Sequence, residues 1–322
     1  MDITDKPDPA FGQRKGFIIA GPTASGKSSL ALALAEAFAG TIINADAMQC
    51  YQDLRVITAR PSIIDESRVA HRLYGVRASV EPANAAWWRS AAQAEMEQAS
   101  LPLLCGGTGM YFSALIKGIA DIPDPGEAAR AQARALLGQI GPVALHARLD
   151  EATASRLKPQ DSQRIARAYE VLRGTGQGLA YWQARATSGL QGWHLKMLLL
   201  DPPRAELRAA LTTRFDAMLK AGAIDEVKAL LAQDLPSDLP LLRAYGVPEL
   251  AAYLRDEITL EEAKERTILA SFQYTKRQMT WFRHQELVCK TDIKIIHSRI
   301  DGNTQFLESI IDEYRNFIKQ SG

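Results

Sequence analysis

The stretch from residue 21 to residue 28, Gly21-Pro22-Thr23-Ala24-Ser25-Gly26-Lys27-Ser28, decides the fold of this chain. An apolar run at residues 17–20 precedes it, as in a buried strand, and apolar residues recur with helical spacing over residues 30–38. In a strand, loop and helix of this kind, backbone N–H groups, the helix N-terminus and the lysine surround phosphate oxygens. The stretch therefore predicts a site for a di- or triphosphate, with Lys27 on the phosphates and the Ser28 hydroxyl on a divalent cation.

The composition limits the classes of protein to consider. The chain has 322 residues, of which 47% are hydrophobic, and this length favours two structural units with a well-buried core. It contains no run of about 18 apolar residues that would predict a membrane span, and residues 1–14 lack the apolar segment of a signal peptide. Cys50, Cys105 and Cys289 have neither the spacing of a metal site nor the even number of a disulfide set. We therefore expect reduced thiols, a cytoplasmic location and a flexible leader over residues 1–14.

The charge of the chain is nearly balanced, so only local clusters can indicate a polyanionic partner. The net charge is +1. Residues 156–173 carry five basic side chains against two acidic ones, and residues 264–290 carry six against two. Such segments are usually solvated helix faces, and contact with nucleic acid is the alternative. Charge by itself leaves both open.

The order of predicted elements indicates an α/β fold. Buried strands are predicted at residues 41–45 and 101–105, a weaker strand at 72–76, and a helix at 85–99. Strands that alternate with helices along a chain are typical of a doubly wound parallel sheet. We expect this phosphate-loop core to span residues 15–125.

A helical domain is predicted to interrupt the core. Proline and glycine at residues 121–126 end the alternating pattern, and residues 127–183 have helical periodicity without a clear strand. A further apolar run at residues 194–200 predicts a strand that returns to the core sheet. We therefore expect an inserted helical domain over residues 126–192, followed over residues 193–322 by the return strand and a mostly helical C-terminal region.

Arg214 lies on the apolar face of a predicted helix. Leu207, Leu211 and Met218 mark this face, and Arg214 falls between them with the same helical spacing. A cation in a buried stripe is costly unless an anion pairs with it. The residues indicate either an internal carboxylate or a bound phosphate as its partner, with extension of the side chain to solvent as a third option.

Seven motifs in this sequence resemble those of the tRNA dimethylallyltransferases, also called tRNA isopentenyltransferases. The resemblance implies a fold similar to P-loop kinases with an inserted helical domain that binds the anticodon arm of tRNA. It also implies transfer of a dimethylallyl group from dimethylallyl diphosphate to N6 of the adenine at tRNA position 37, with release of pyrophosphate. Without a paired Cys/His finger, the sequence is similar to the bacterial type. The motifs are GPTASGKS at 21–28, NADAMQCY at 44–51, TARP at 58–61, GGTGMYFSAL at 106–115, DSQRIARAYEVLRGTG at 161–176, AYGVPEL at 244–250 and KRQMTWFR at 276–283.

The resemblance also implies roles in the chemistry. Residues 21–28, which a motif search would assign to ATP, would bind the prenyl diphosphate, assisted by Thr23, Arg214 and Mg²⁺ at Ser28. Asp46 would be the general base, because an adenine amino group must lose a proton as it forms the new C–N bond. For Asp46 the alternative is a helix cap or a contact with metal-bound water.

A further set of residues is implied to contact tRNA, as an adenine flipped out of a single-stranded loop would require. Within this set, Arg130 is matched only by its spacing from Thr108, and a plain surface arginine is the alternative. The set consists of Asp46, Ala47, Met48, Gln49, Thr108, Arg130, Asp161, Ser162, Gln163, Arg164, Ile165, Lys276, Arg277 and Gln278.

Several positions depart from the family pattern. Ala47 stands where the family usually has serine, Ile57 replaces a glycine, Arg60 a lysine, and Ala70 a histidine. We expect these changes to alter local packing and contacts with the acceptor, and not the diphosphate site.

Three other functions are weighed against this prediction. One is a relative that prenylates free adenine nucleotides, one a small-molecule P-loop kinase, and one a non-catalytic tRNA-binding protein. Consumption of ATP would indicate the kinase, and turnover with AMP but not with tRNA would indicate the nucleotide prenyltransferase. We expect a monomer that binds tRNA and dimethylallyl diphosphate and does not bind membranes.

Overall fold

A six-stranded sheet organises the residues that the structure, a computed structural model, describes, which are 13–302 and 304–319. Its strands are β1 (Arg14–Ala20), β2 (Thr41–Asn44), β3 (His71–Arg72), β4 (Pro102–Gly106), β5 (Trp193–Leu200) and β6 (Ile293–Ile296). They lie in the order β3-β2-β4-β1-β5-β6, and every neighbouring pair is parallel. The predicted parallel α/β sheet is confirmed. Residues 1–12 of the expected leader lie outside the described residues.

The helices of the described chain connect the strands and form most of the C-terminal half. None of them is both long and apolar enough to cross a membrane, within residues 13–302 and 304–319. They are α1 (Lys27–Phe38), α2 (Ile63–Arg68), α3 (Ala85–Gln98), α4 (Gly109–Lys117), α5 (Glu127–His146), α6 (Glu151–Ala154), α7 (Ser162–Thr175), α8 (Leu179–Gln183), α9 (Arg204–Lys220), α10 (Ala223–Leu231), α11 (Val247–Leu254), α12 (Leu260–Arg283) and α13 (Thr304–Lys319).

Two strands differ from the sequence prediction. β3 has two residues, whereas the sequence predicted a strand over residues 72–76. β6 lies in the region predicted to be mostly helical, and it pairs with β5 from Met197 opposite Ile293 to Leu200 opposite Ile296. A segment of four residues with three isoleucines and one lysine suits a strand or a helix equally, so the free edge of β5 decides its structure.

The chain divides into two compact units. One unit contains the sheet and consists of two segments, the first ending at Ile116 and the second beginning at Gln191. The other unit spans Lys117–Leu190 and contains α5 to α8. The sequence placed the start of the insertion later, at residue 126. Because α4 continues through Lys117, the first unit ends where that helix ends.

The strands next to the phosphate loop are buried on both faces, as expected for a parallel sheet covered by helices. Phe17, Leu34, Leu103 and Leu198 belong to one apolar cluster between the sheet, α1 and α13. The ring of Tyr314 on α13 packs edge-on against Phe17, with ring centroids 5.2 Å apart. This packing fixes the middle of β1, the strand that leads into the phosphate loop.

A second apolar cluster joins α9 to α12 with the loop after β2. Tyr51 and Leu54 pack there against residues of these helices. Glu226 on α10 accepts the backbone N–H groups of Arg55, Val56 and Ile57 at 2.7, 2.7 and 2.8 Å. A carboxylate bonded to three N–H groups holds the loop firmly in place, and with it the residues that follow.

The helical unit has its own small core, formed mainly by α5 and α7. Ala133, Leu145, Ile165 and Tyr169 are buried in it. Helix α5 is interrupted at Gly141, whose φ of +74° and following proline are incompatible with a continuous helix.

Candidate active site

The phosphate loop connects β1 to α1 and has the backbone geometry that its glycines allow. Gly26 has φ +93°, and a Cβ at this position would lie 2.1 Å from the backbone oxygen of Ile300. The N–H of Ile300 donates to the Ser25 oxygen at 3.0 Å, so the segment after β6 supports the loop. Residue 26 must therefore be glycine, for its conformation and for this close approach.

Lys27 begins α1 and reaches back across the loop. Its Nζ donates to the Pro22 oxygen at 2.6 Å. Burial lowers the pKa of Lys27 to about 8, the charge of Asp46 raises it, and the charge of Arg214 lowers it. An anion bound at the loop would stabilise the charged form of this lysine.

Gln278 on α12 meets the phosphate loop from inside the protein. It is only 4% exposed, accepts the Thr23 N–H on Oε1 at 3.0 Å, and donates from Nε2 to the Gly107 oxygen at 3.0 Å. Both ends of the amide are thus used internally. The expected contact of Gln278 with tRNA stays a prediction, and almost none of the residue is exposed to make it.

Asp46 follows β2 at the edge of the sheet where the phosphate loop lies. Its Oδ1 accepts the N–H of Met48, the first residue of the short 3₁₀ turn Met48–Cys50, at 3.0 Å. Among the described residues, Oδ2 accepts no hydrogen bond, and Asp46 lines a cavity. The hydrogen bond to Met48 and a role as base are compatible, because they use different oxygens.

Asn44 holds the backbone of Asp46. Its Oδ1 accepts the Asp46 N–H at 2.8 Å, and its Nδ2 donates to the oxygens of Asp46 and Leu73 at 2.9 and 3.0 Å. Asn44 is fully buried. A side chain that bonds both backbone groups of one residue restricts its φ and ψ, and so orients the carboxylate.

Arg214 lies in the same cavity, which has a volume of about 390 Å³. Its side chain is half-buried, and the described residues provide no carboxylate within ion-pair distance; NH2 donates to the Thr58 oxygen at 3.1 Å. Burial lowers the pKa of Arg214, and the charge of Asp46 acts in the opposite direction. Of the two partners that the sequence left open, the internal carboxylate is absent from the described residues.

The wall of the cavity combines polar and apolar groups. Thr23 contributes from the phosphate loop, and Tyr245 and Tyr274 form an aromatic corner with ring centroids 5.1 Å apart. Ile57, which replaces the family glycine, lies on the wall as well. Further apolar groups come from Met48, Leu211, Phe215, Met218, Ala244 and Ile268, and further polar groups from Thr58, Thr108, Arg243, Thr267 and Ser271.

The segment after Asp46 is bonded to neighbouring loops. The N–H of Ala47 donates to Thr108 Oγ1 at 3.0 Å, and the N–H of Thr108 donates to the Ala45 oxygen at 3.1 Å. Gln49 donates from Nε2 to the Thr58 oxygen at 2.9 Å. Thr108 and Gln49, both expected to contact tRNA, therefore also support the site.

Ser28 lies on the first turn of α1 and is exposed. It does not line the cavity that contains Asp46 and Arg214. In the described part of the chain, no three His, Cys, Asp or Glu residues form a metal-binding group. A divalent cation at Ser28 would therefore complete its coordination with water and ligand oxygens, as Mg²⁺ often does.

The remaining predicted tRNA contacts lie in two places. On α12, Lys276 and Arg277 are exposed, and Arg277 donates to the Tyr245 hydroxyl at 2.6 Å. In the helical unit, Asp161 caps α7, the next three residues are exposed, and Arg130 pairs with Asp124.

Ile165 does not share the exposure of the residues before it. Its side chain is fully buried in the core of the helical unit. It therefore packs the core and does not face solvent, because α7 turns its apolar side inward at this position.

Sequence reasoning missed several residues that shape the site. Asn44, Glu226 and Tyr245 contact or support the cavity and were not singled out. Asn44 and Tyr245 lie within the quoted motifs, which was the available signal. Glu226 accepts hydrogen bonds from Arg55 to Ile57, which lie between 169 and 171 positions earlier in the chain. No local sequence pattern indicates such a contact.

The fold and the cavity define a class: an α/β transferase in which a phosphate-binding loop, a half-buried arginine and a carboxylate face a partly apolar space. The family model described as IPP transferase matches residues 49–285, and the chain belongs to this family. The family predicted from the sequence is confirmed.

Individual relatives agree with this assignment. The chain is 58% identical to the tRNA dimethylallyltransferase of Acidiphilium cryptum (strain JF-5), with 95% of both chains covered. It is 53% identical to that of Granulibacter bethesdensis, over 95% of this chain and 98% of the relative. The solved structure of the tRNA isopentenylpyrophosphate transferase of Bacillus halodurans is similar, with a TM-score of 0.67, 28% identity, and coverage of 96% of this chain and 98% of the other.

Proposed function

We propose that this chain transfers the dimethylallyl group of dimethylallyl diphosphate to N6 of the adenine at position 37, in the anticodon arm of tRNA. Its family and its relatives make it a prenyl transferase that acts on tRNA, and the donor, the acceptor atom and the residue roles are proposed. The observation that carries the proposal is that Thr23, Asp46 and Arg214 line one cavity whose wall is otherwise largely apolar. Such a cavity suits a diphosphate, a prenyl chain and a base in close proximity.

The diphosphate of the donor is held by the phosphate loop, Lys27 and Arg214. When the allylic C–O bond breaks, its electron pair stays on the pyrophosphate, whose charge increases. Cations fixed in place before the reaction stabilise this charge. Arg214 is well suited, because its partner among the described residues is a neutral carbonyl. The Thr23 hydroxyl is proposed to donate to the bridging region of the diphosphate.

A Mg²⁺ ion is proposed at Ser28. The Ser28 hydroxyl forms no hydrogen bond within the described residues and is exposed, so it is available as a ligand. When bound, the ion would neutralise part of the diphosphate charge.

Asp46 acts on the acceptor. The lone pair of N6 forms the bond to the allylic carbon while Asp46 Oδ2 accepts the N6 proton, so that neutral alkylated adenine, pyrophosphate and protonated Asp46 result. The bond from Met48 to Oδ1 keeps the carboxylate oriented. Met48, Ala47 and Gln49 are proposed to hold the flipped adenine.

Contacts with tRNA are proposed on both units. Lys276 and Arg277 present positive charge on α12, and Ser162, Gln163 and Arg164 form an exposed turn at the start of α7. Further tRNA contacts are proposed for Asp161, Arg130 and Thr108. The buried residues Ile165 and Gln278 are proposed to contribute only through their backbone groups or by packing under the contacting residues. Basic and polar groups on exposed helix turns suit phosphate contacts.

We propose that the active form is a monomer. Since tRNA is the substrate, we propose that the reaction occurs in the cytoplasm. Light scattering of the enzyme during turnover tests the oligomeric state.

Use of the donor should depend on pH through Lys27. Because the charged lysine binds the diphosphate, kcat/KM for the donor should have its maximum value below pH about 8 and should decrease as the pH rises through this value. Lys27→Arg, which stays charged, should lose this limb of the profile. Initial rates at subsaturating donor measure it, and an unchanged limb in Lys27→Arg would assign the pH dependence to another group.

Arg164 should contribute to tRNA affinity in a salt-dependent way. Arg164→Gln should weaken tRNA binding several-fold and reduce the slope of log affinity against log salt by about 0.7, the value for one lost phosphate contact on a single strand. Filter binding at several salt concentrations measures this. Arg148→Gln, an exposed arginine of the same unit, is the control, and equal effects of both changes would contradict a specific contact.

The decisive experiment is incubation of the enzyme with labelled dimethylallyl diphosphate and tRNA, followed by nucleoside analysis. Label should appear in N6-dimethylallyladenosine at position 37, and pyrophosphate should be released. Parallel reactions with AMP as acceptor and with ATP as donor test the other functions. Label only in AMP, or orthophosphate released from ATP with unmodified tRNA, would contradict the proposal.

A further inference from the structure

The amide of Gln278 joins two loops that are distant in sequence. Its Oε1 accepts from Thr23 of the phosphate loop and its Nε2 donates to Gly107 of the loop after β4, each at 3.0 Å. A Cβ at residue 107 would lie 2.2 Å from Nε2, so this close contact requires glycine. Since Gln278 is 4% exposed, little water is available to replace either bond.

The loop after β4 is in turn bonded to the segment that carries Asp46. Thr108, the residue after Gly107, accepts the N–H of Ala47 and donates its own N–H to Ala45. Asp46 lies between these two residues. A continuous series of hydrogen bonds therefore runs from the phosphate loop through Gln278 to both neighbours of Asp46.

We propose that Gln278 is a positioning residue that sets the distance between the phosphate loop and Asp46. The inference rests on the proposed function, in which the loop holds the leaving group and Asp46 the proton acceptor. The two groups must be held at a fixed distance from each other, because displacement of reacting atoms by about 1 Å can reduce a rate by about 10²-fold.

Gln278 has the chemistry that this position requires. One end must accept a hydrogen bond and the other must donate one, over a fixed length. Ionised glutamate has the same shape but no donor for the Gly107 oxygen. Protonated glutamate has both, one C=O and one O–H, and therefore resembles glutamine.

Because the Glu side chain changes between these two states with pH, one variant can be compared with itself at different pH values. Gln278→Met removes both bonds and should lower kcat by about 10-fold to 100-fold, with the KM for tRNA within about twofold of the parent value. The kcat of Gln278→Glu should equal that of Gln278→Met at about pH 8.5. It should increase toward the parent value as the pH falls to about 6, since burial raises a carboxyl pKa. All rates are expressed as ratios to the parent at the same pH, so that other titrations cancel.

Matched controls and a folding measurement complete the design. Gln273 lies on the same helix and is exposed, and Gln273→Met and Gln273→Glu should keep parent rates at every pH. Single-turnover rates are normalised to folded protein, measured by thermal unfolding and by tRNA binding. A merely structural role would lower the folded fraction without a reversible dependence of the rate on pH.

Two results would overturn the inference. One is a Gln278→Met rate within about twofold of the parent, well below the loss expected from misplaced reactants. The other is a Gln278→Glu rate ratio that does not change with pH. Failure of the proposed function is distinguished by the parent enzyme, which would then not alkylate N6 of adenine in tRNA, whatever the Gln278 variants do.

Discussion

Asp46→Asn should leave the chain folded and able to bind tRNA, but should lower the rate of transfer by about 10²-fold to 10⁴-fold, as loss of a general base does. The two carboxylate oxygens explain the choice of asparagine. Oδ1 accepts the N–H of Met48, and the asparagine oxygen can keep this bond. The amide nitrogen that replaces Oδ2 cannot accept a proton. The variant therefore removes the base and preserves the hydrogen bond from Met48.

Single-turnover rates at saturating tRNA and donor measure this effect, with tRNA affinity measured separately. Asp256→Asn is the matched control, because Asp256 is exposed and its φ of +58° suits asparagine. Its rate should equal that of the parent. A rate for Asp46→Asn within about threefold of the parent would exclude Asp46 as the base, since general-base catalysis contributes far more.

Arg214→Met should lower kcat/KM for the donor by about 10²-fold to 10³-fold, because a fixed cation no longer stabilises the charge of the leaving pyrophosphate. The same change should not lower the thermal midpoint of the ligand-free protein. Arg214 has no carboxylate partner among the described residues, and burial lowers its pKa, so its charge is a cost to the ligand-free fold. Methionine fits the apolar wall formed with Leu211 and Met218.

The opposite directions of these two effects make the prediction specific. Steady-state rates with varied donor and thermal unfolding of the same samples measure them. Arg208→Met, on the exposed side of α9, should change neither quantity. A loss of activity that parallels a loss of stability would indicate that Arg214 supports the fold and does not act on the diphosphate.

Much of the fold could be predicted because its signals are local. The glycines and lysine of residues 21–28, the apolar strands and the breakers at 121–126 each lie within a short window of sequence. Where the signal was short, prediction failed: β6 has four residues and becomes a strand only against the edge of β5. Ile165 was assigned to the RNA surface with its neighbours, although the helical period turns it into the core.

The candidate site was predicted in part for the same reason. Asp46 and Arg214 were each singled out from local pattern, motif and resemblance, and the structure brings both to one cavity. The residues that hold them were not found. Asn44 acts through the backbone of Asp46, and Gln278 was expected at the RNA surface rather than between two loops.

By itself the sequence determined that this chain has a phosphate loop in a parallel α/β sheet, and to which family it belongs, because those features lie in contiguous motifs. Only the tertiary structure decided that Arg214 has no carboxylate partner among the described residues, that Asp46 keeps one oxygen without a hydrogen bond, and that Gln278 joins the loops of Thr23 and Gly107. The physical reason is distance along the chain. The two hydrogen bonds of Gln278 join residues that are separated by 255 and by 171 positions. Such bonds form only when packing brings the residues together, and they leave no pattern in the order of the residues.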